Sequence, residues 1–355
     1  MNDSIRVLVL GTGQMGSGIA RLVLQKSGLQ LSGVYGRRTQ REGIDAGRVI
    51  GLDCDLGIRV GTNLEEVLGR VRPHVAIQAT CSTVADAMEE VSTLLRHGVH
   101  VISIAEEMAF PHYRSPAFAD TLEALAVQHS AAVLGTGINP GFVLDLLIIT
   151  LTGVCADVQA INARRVNDLA PYGPSVLATQ GVGLTPQDFD KGIECGAVVG
   201  HIGFPESIHM IASALGWTID RIEQERKPII SKVFRETPFV VVKPGQVAGC
   251  LHRAVAYQGD QARVTLNHPQ QIHPHLEGVA TGDVIEITGT PNLRLAGTPE
   301  IPGGEGTCAL AVNMIPRVLN AKPGLYSMAD LPVPGAILGD VRKLLTKGIG
   351  KSGHG

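Results

Sequence analysis

Ile5-Arg-Val-Leu-Val-Leu-Gly-Thr-Gly-Gln-Met-Gly16 is an apolar run closed by three glycines at the spacing G-x-G-x-x-G. The run that follows, Ser17-Gly-Ile-Ala-Arg-Leu-Val-Leu24, has helical apolar spacing. Strand, tight turn and helix in that order give each glycine a task. Gly11 makes the turn, Gly13 lets a pyrophosphate approach the backbone, and Gly16 lets helix and strand pack closely. Gln14 and Met15 open the helix, whose unpaired N–H groups and partial positive charge suit phosphate. The stretch therefore predicts a dinucleotide site at Gly11, Gly13, Gln14, Met15 and Gly16.

Working outward, short apolar strands alternate with helical segments over the first 140 or so residues. Strands are expected at Ile5–Leu10, Leu29–Tyr35, Arg59–Thr62, Val75–Thr80, His100–Ile104 and Ala132–Leu134, with helices at Leu64–Arg70, Val84–Arg96 and Pro116–Gln128. Continuous Val/Ile/Leu strands belong in a parallel sheet covered on both faces. The fold class expected is α/β, a Rossmann-type doubly wound parallel sheet. Phe142–Val154, interrupted by Asp145, reads as a buried helix. Beyond it the strands lengthen and alternate: Gln159–Arg165, Val233–Val242, His252–Tyr257, Ala262–Asn267 and Asp283–Thr290. Alternation with one polar face predicts an α+β substrate and dimerisation domain with an open, mostly antiparallel sheet. The expected boundaries are 1–141, 142–304 and 305–355. The last part is a helix, Thr307–Leu319, returning toward the first domain through a glycine-rich hinge at Ile301–Gly306, then a frayed tail at Lys347–Gly355.

A net charge of -3 gives no electrostatic reason to expect nucleic acid or an anionic membrane. No apolar run approaches a membrane span, and Met-Asn-Asp-Ser-Ile-Arg lacks a signal-peptide layout, so a cytoplasmic protein is expected. Six scattered cysteines form no C-x-x-C pair, which argues against disulfides and zinc and for small apolar residues in a reducing compartment. His268, His273 and His275 lack helical i,i+4 spacing and are not read as a metal site. The expected partners are a small-molecule substrate and a second copy of the chain.

Where an NAD-binding chain carries an acid for the ribose 2′-hydroxyl, this one has Gly36, followed by Arg37, Arg38, Thr39, Gln40 and Arg41. Losing the carboxylate and gaining guanidinium groups favours a 2′-phosphate, hence NADP, with NAD still usable. Ala79, Thr80 and Ser82, ending the next long strand, are placed to line the nicotinamide ribose.

Chemistry in such a sheet sits beyond the carboxyl ends of the strands. The fifth expected strand ends in Ile104-Ala-Glu-Glu-Met-Ala-Phe-Pro111. On an extended chain only one of Glu106 and Glu107 can face the nicotinamide, where a carboxylate suits deprotonation of an amine and later of water. Leu134-Gly-Thr-Gly-Ile-Asn-Pro-Gly-Phe142 ends the sixth, with Asn139 as a neutral hydrogen-bonder. In the second domain Arg164-Arg165-Val166-Asn167 lies at a strand end before Tyr172, and one arginine could clamp a carboxylate. His201, His209 and His268 are weaker candidates.

Four runs together carry a resemblance: Ile104–Pro111, Leu134–Phe142, Gly200-His-Ile-Gly-Phe-Pro-Glu-Ser207 and Asn313-Met-Ile-Pro316. The chain resembles the 2,4-diaminopentanoate dehydrogenase family of oxidative ornithine fermentation, with native amine dehydrogenases as kin, over almost its whole length. The resemblance implies NAD(P)-dependent oxidative deamination of the 4-amino group to 2-amino-4-oxopentanoate and ammonia. It implies that Glu106 or Glu107 is the acid/base group. It also implies that Asn139, Arg165, Asn167, Tyr172, His201 and His268 line the amine pocket. Dihydrodipicolinate reductase is similar in the N-terminal domain only, since its paired-histidine and lysine signature is missing. A broad amine dehydrogenase acting on small ketones and a non-catalytic NADP-binding sensor stand as alternatives.

Overall fold

Ile5, Val7, Leu8, Val9 and Leu10 are wholly buried, which only a strand flanked by strands and covered on both faces achieves. In the computed structural model, which describes residues 4–346, this strand is β1 (Ile5–Leu10). The chain divides into two units: the residues up to Phe142 together with those from Gly303 onward, and Val143–Pro302 between them.

The first unit is built on a six-stranded, wholly parallel sheet. Its strands are β1, β2 (Leu29–Tyr35), β3 (Val75–Gln78), β4 (His100–Ser103), β5 (Ala132–Gly135) and a late arrival, Gly324–Tyr326. The order is Gly324–Tyr326, β5, β4, β3, β1, β2. The doubly wound parallel sheet expected from the sequence is therefore present, but with one member exchanged. Arg59–Thr62 is not a strand. It touches its neighbours through single bridges, Tyr35 to Gly61 and Asp45 to Arg59, because Asp45 turns the chain by accepting the N–H groups of Gly47, Leu56 and Gly57. The sixth place is filled by three residues after Lys322-Pro323, too short a run to show periodicity. Helices Val84–Arg96 and Pro116–Gln128 fall where the spacing placed them. They bury Val91, Leu94, Leu95, Leu122 and Ala126 with Leu8, Ala76, Val101 and Val133 in one core. Each such large apolar side chain is worth about 1.5–3 kcal/mol on burial.

The C-terminal segment is two helices, Gly303–Asn313 and Ile315–Asn320, instead of one, because Pro316 cannot continue the hydrogen-bond ladder. The glycines expected as a hinge form the first turn of the former helix. It packs on the helix Gln14–Gln25, where a Cβ on Gly18 would lie 2.8 Å from Cys308 Sγ. The expected frayed tail, Lys347–Gly355, lies outside the described residues.

The second unit carries a six-stranded mixed sheet built from β6 (Asp157–Asp168), β7 (Arg221–Ile230), β10 (Val247–Gln258), β11 (Gln261–Gln271), β12 (Gly282–Thr290) and β13 (Leu293–Gly297). Between them β8 (Arg235–Glu236) and β9 (Val241–Val242) form a separate two-stranded ladder. The order β13-β12-β6-β11-β10-β7 is antiparallel throughout except for β6 with β11. Ile161, Ala163, Ala254, Leu266, Ile285 and Ile287 face inward, while Asn162, Arg164 and Arg253 are exposed. Two strands were not foreseen, β7 and β13, since both are rich in exposed residues and edge strands need no apolar alternation. The expected long strand Val233–Val242 is broken into β8 and β9 around Pro238. Asp145 caps the helix Leu146–Thr152, so the buried helix starts later than its apolar run. Among the described residues no helix is long and apolar enough to cross a membrane.

Candidate functional site

All strands of the first sheet run the same way, so every candidate residue that follows one lies along a single carboxyl edge. At β1, Gly11 has φ +121° and an added Cβ would stand 2.4 Å from the Ala79 carbonyl oxygen; a Cβ on Gly16 would stand 2.0 Å from the Gly11 oxygen. These two glycines are demanded by the fold. Gly13 is different: a Cβ there would meet nothing within 4 Å. The space over Gly13 lies beside the uncapped helix start at Gln14 and Met15, as a pyrophosphate site requires. The turn therefore fits a dinucleotide.

After β2, Gly36 packs on the Thr12 side chain and the basic loop is divided among three duties. Arg37 Nε is 2.7 Å from Glu90 Oε1 and its Nη2 donates to the Asp86 carbonyl, so this arginine is already neutralised. Arg41 bonds the Thr12 carbonyl beside the glycine turn. Arg38 and Thr39 are exposed. After β3, Thr80 bonds Glu90 and Gln78 Nε2 donates to Thr80 Oγ1 at 2.7 Å, while Ser103 Oγ donates to Gln78 Oε1 at 2.5 Å. A buried polar chain thus ties Arg37, Glu90, Thr80, Gln78 and Ser103 together beneath the edge. Glu90, its hub, gave no signal in sequence, being one acid among several on an amphipathic helix. Ala79 and Ser82 lie on the same turn, and Ser82 lends its carbonyl to the Glu107 N–H.

After β4 the structure separates the two glutamates. Glu106–Ala109 is a turn of 3-10 helix, where an extended chain was expected. Glu107 is buried; its Oε2 accepts the Val84 N–H at 3.0 Å, capping the helix Val84–Arg96, and its Oε1 is 3.4 Å from Arg114 Nε. Its carboxylate is thereby committed to holding the fold. Glu106, one residue earlier, is half-buried at the mouth of the turn. Gly135, ending β5, sets the height of this turn: a Cβ there would fall 1.7 Å from the Met108 oxygen. The next residues make a tight turn, Gly137–Gly141, in which both polar atoms of the Asn139 amide are buried without a hydrogen-bond partner.

In the second unit Arg165 is the centre. Only 2% exposed, it donates to Asp283 Oδ1 at 2.6 Å and to the Ile301 carbonyl at 2.5 Å. The expected carboxylate clamp is therefore engaged within the chain, and Arg165 acts on its surroundings mainly as a fixed positive charge. Asn167, on the same strand, hydrogen-bonds Tyr172, whose hydroxyl is pushed up by burial against the opposing pull of Arg165. His201 and His268 stack edge to face with ring centres 4.9 Å apart, and Phe204 packs 4.8 Å from His201. Both imidazoles are held well below their ordinary range, first by burial; positive neighbours, Arg165 among them, add to this. His252 was not foreseen, although it sits on an inward position of β10 between Cys250 and Ala254. Its Nδ1 accepts the His201 N–H at 3.0 Å, its Nε2 points to Gln224 Oε1 at 3.1 Å, and burial drops its pKa to about 3. His209 lies further along the Phe204–Leu215 helix, half-buried.

Asn167 Oδ1, His201 Nε2 and both ring nitrogens of His268 are buried with no hydrogen-bond partner. Each such atom costs about 1–3 kcal/mol, a cost natural folds accept where a polar ligand completes the bonding. Tyr172, His201, His268 and Asn167 are thus brought together around Arg165, and neutral imidazoles suit a cationic amine.

His201, His252 and His268, buried and held below the ordinary imidazole range together with His100 and His209, make stability depend on pH. Each is neutral when folded and binds a proton near pH 6.5 when unfolded, so stability is complete above that pH and falls as the medium is acidified. The unfolding free energy should be flat from pH 8 to 7 and fall below pH 6.5 by about 1.4 kcal/mol per pH unit for each histidine, with Tm following it in thermal unfolding. His252→Gln should flatten that slope.

A family model described as 2,4-diaminopentanoate dehydrogenase C-terminal domain matches residues 142–347, and one described as dihydrodipicolinate reductase, N-terminus, matches residues 5–104. A 2,4-diaminopentanoate dehydrogenase from Acetoanaerobium sticklandii is 41% identical over 97% of this chain and 98% of its own. An amine dehydrogenase from Streptomyces virginiae is 25% identical over 94% of this chain and 98% of its own. Among solved structures, an amine dehydrogenase from Mycobacterium smegmatis superposes with a TM-score of 0.83 at 28% identity, covering 92% of this chain and 96% of that one.

Proposed function

Since the chain belongs to the 2,4-diaminopentanoate dehydrogenase family, we propose that it oxidises 2,4-diaminopentanoate at C4, with water, to 2-amino-4-oxopentanoate and ammonia. As a family member it is an NAD(P)-dependent amine dehydrogenase. A nicotinamide dinucleotide held at Gly11, Gly13, Gln14, Met15 and Gly16, with Ala79, Thr80 and Ser82 along its ribose, would supply the hydride acceptor.

The observation that carries the reading is Glu106 at the carboxyl edge of the first sheet, beside a Glu107 already spent on a helix end. Glu106 takes a proton from the substrate ammonium, because an amine without a lone pair cannot drive hydride off its carbon. It passes that proton to solvent and, ionised again, takes a proton from the water that adds to the iminium carbon. It hands this proton to the nitrogen, which leaves as ammonia while the new hydroxyl gives up its proton to form the ketone. Asn139, with an unsatisfied amide, serves as a neutral hydrogen-bonder to the polar substrate. In the second unit Asn167, Tyr172, His201 and His268 offer neutral donors and acceptors, the two imidazoles being kept uncharged first by burial and further by positive neighbours, Arg165 among them. The test is cofactor reduction with 2,4-diaminopentanoate set against ornithine and simple amines. Turnover on simple amines alone would make it a broad amine dehydrogenase, the reading that the likeness to the amine dehydrogenases favours.

The same reading gives NADP preference to Arg38. Arg37 is neutralised by Glu90, leaving Arg38 as the exposed guanidinium after Gly36. Arg38→Ala should lower kcat/KM for NADP about tenfold relative to NAD, the effect of one charge-assisted contact. Arg37→Ala should move NADP and NAD together. The open polar face of the second sheet supports a homodimer, which sedimentation analysis would test.

A further inference from the structure

Beyond the amine pocket, the second unit gathers Asp168, His273 and His275, whose potential ligand atoms all lie within 4.8 Å of one another. The hydrogen bonding around them defines which atoms are available. Asp168, at the end of β6, uses Oδ1 twice, accepting the N–H groups of Ala170 at 2.8 Å and His273 at 2.9 Å. Its Oδ2 faces His273 Nδ1 at 4.0 Å. On the other side of that ring, Nε2 is 2.8 Å from the Glu236 carbonyl oxygen. A carbonyl has no proton to give, so Nε2 carries the hydrogen, and in that tautomer Nδ1 is a bare acceptor turned to a carboxylate oxygen. Two acceptors then face each other, and something positive belongs between them. The exposed His275 ring, 5.6 Å away centre to centre and nearly perpendicular, offers a third donor.

The loop is held in this arrangement from beneath. Arg235, wholly buried, bonds the Ile272 and His273 carbonyls, Gln271 Oε1 at 2.9 Å, Ser231 Oγ at 2.8 Å and the Glu277 carboxylate. His273 is kept at φ +45°, a left-handed conformation rare outside glycine. A backbone carbonyl fixing the tautomer of a histidine that looks toward a carboxylate is the outer-shell arrangement of metal-binding imidazoles.

We propose that Asp168, His273 through Nδ1, and His275 bind a divalent cation of the zinc type, with water completing its coordination. Two nitrogens and one carboxylate oxygen select that class over magnesium or calcium, which take oxygen ligands. Ligand atoms around one zinc stand about 3.3–3.5 Å apart, so the set contracts by about 1 Å, within reach of the exposed His275 side chain. The ion clips the Ile272–Glu277 loop to the end of β6, one residue past Asn167, and so stiffens the strand end that carries part of the amine pocket. This role does not depend on the substrate proposed above.

The test uses the full chain, freed of metal by chelation, with Zn²⁺ and Co²⁺ as probes. One equivalent of Zn²⁺ is expected to bind by calorimetry and raise Tm, with affinity at least tenfold weaker in His275→Ala, whose exposed side chain the fold does not need. Co²⁺ should give visible bands of nitrogen and oxygen ligation, without the intense thiolate absorption its cysteines would produce, and His273→Gln should abolish them. No Zn²⁺ uptake, uptake unchanged in His275→Ala, or a thiolate spectrum would each overturn the proposal. In the absence of uptake, an imidazolium on His273 paired with Asp168 would account for the geometry with a proton alone. Dehydrogenase assays report separately on the amine reading.

Discussion

Glu106→Gln is expected to lower turnover by about 10²–10⁴, the range lost when a positioned proton acceptor is removed, while leaving Tm and cofactor affinity close to those of the parent chain. Glu107→Ala should do the reverse. It strips the Val84 N–H of its acceptor and removes the Glu107 contact of Arg114. Losing such a cap costs about 0.5–2 kcal/mol, or about 2–4 °C in Tm for each kcal/mol in a domain of this size; the half-exposed Arg114 adds little. Turnover of the folded fraction should stay within a few-fold. Steady-state kinetics and thermal unfolding on the same preparations separate the two. Equal losses of turnover with unchanged Tm in both variants would refute the division of labour between adjacent acids.

The second large effect concerns the glycine turn, where three residues of one type should respond in two ways. Gly13→Ala places a methyl group in open space, so the protein should fold with an unchanged Tm. That space is where a pyrophosphate would approach, and forcing an extra carbon into a filled contact costs about 1–3 kcal/mol, or about 5–150-fold in cofactor affinity. Gly16→Ala instead drives a methyl group into the Gly11 carbonyl, 2.0 Å away, and should depress stability before any cofactor is added. Cofactor fluorescence titration with parallel melting curves reads both. Unchanged affinity in Gly13→Ala would mean the dinucleotide does not lie over this turn.

Much of this was legible in the chain because buried parallel strands are nearly pure Val, Ile and Leu, and because the glycine spacing admits few other uses. The helices Val84–Arg96 and Pro116–Gln128 declared themselves by their apolar period, and the structure adds Thr83 as the cap of the first and Pro116 as the opening residue of the second. What hid were elements whose residues answer to a distant partner. Gly324–Tyr326 is a strand only because β5 offers an edge to it; β7 is a strand despite its charges because β10 lies beside it. At the site, adjacency concealed the difference between Glu106 and Glu107, since it depends on a helix that begins at Val84. Arg165 reads as a clamp until Asp283 arrives from β12, 118 positions on. His273 and His275 lack helical spacing, and the cation site proposed for them rests instead on a loop locked by a buried arginine, an arrangement that leaves no period in the sequence.

The late strand Gly324–Tyr326 has a consequence for how this polypeptide is made. During synthesis the five earlier strands emerge long before it, and the whole of Val143–Pro302 must leave the ribosome first. Until then β5 presents a bare row of backbone donors and acceptors, an invitation to pair with another nascent chain. The intervening unit, continuous in sequence, can complete itself meanwhile. Premature termination before Gly324 would therefore yield a nucleotide-binding half that is open at one border and prone to clump, even though every glycine of its phosphate turn is present.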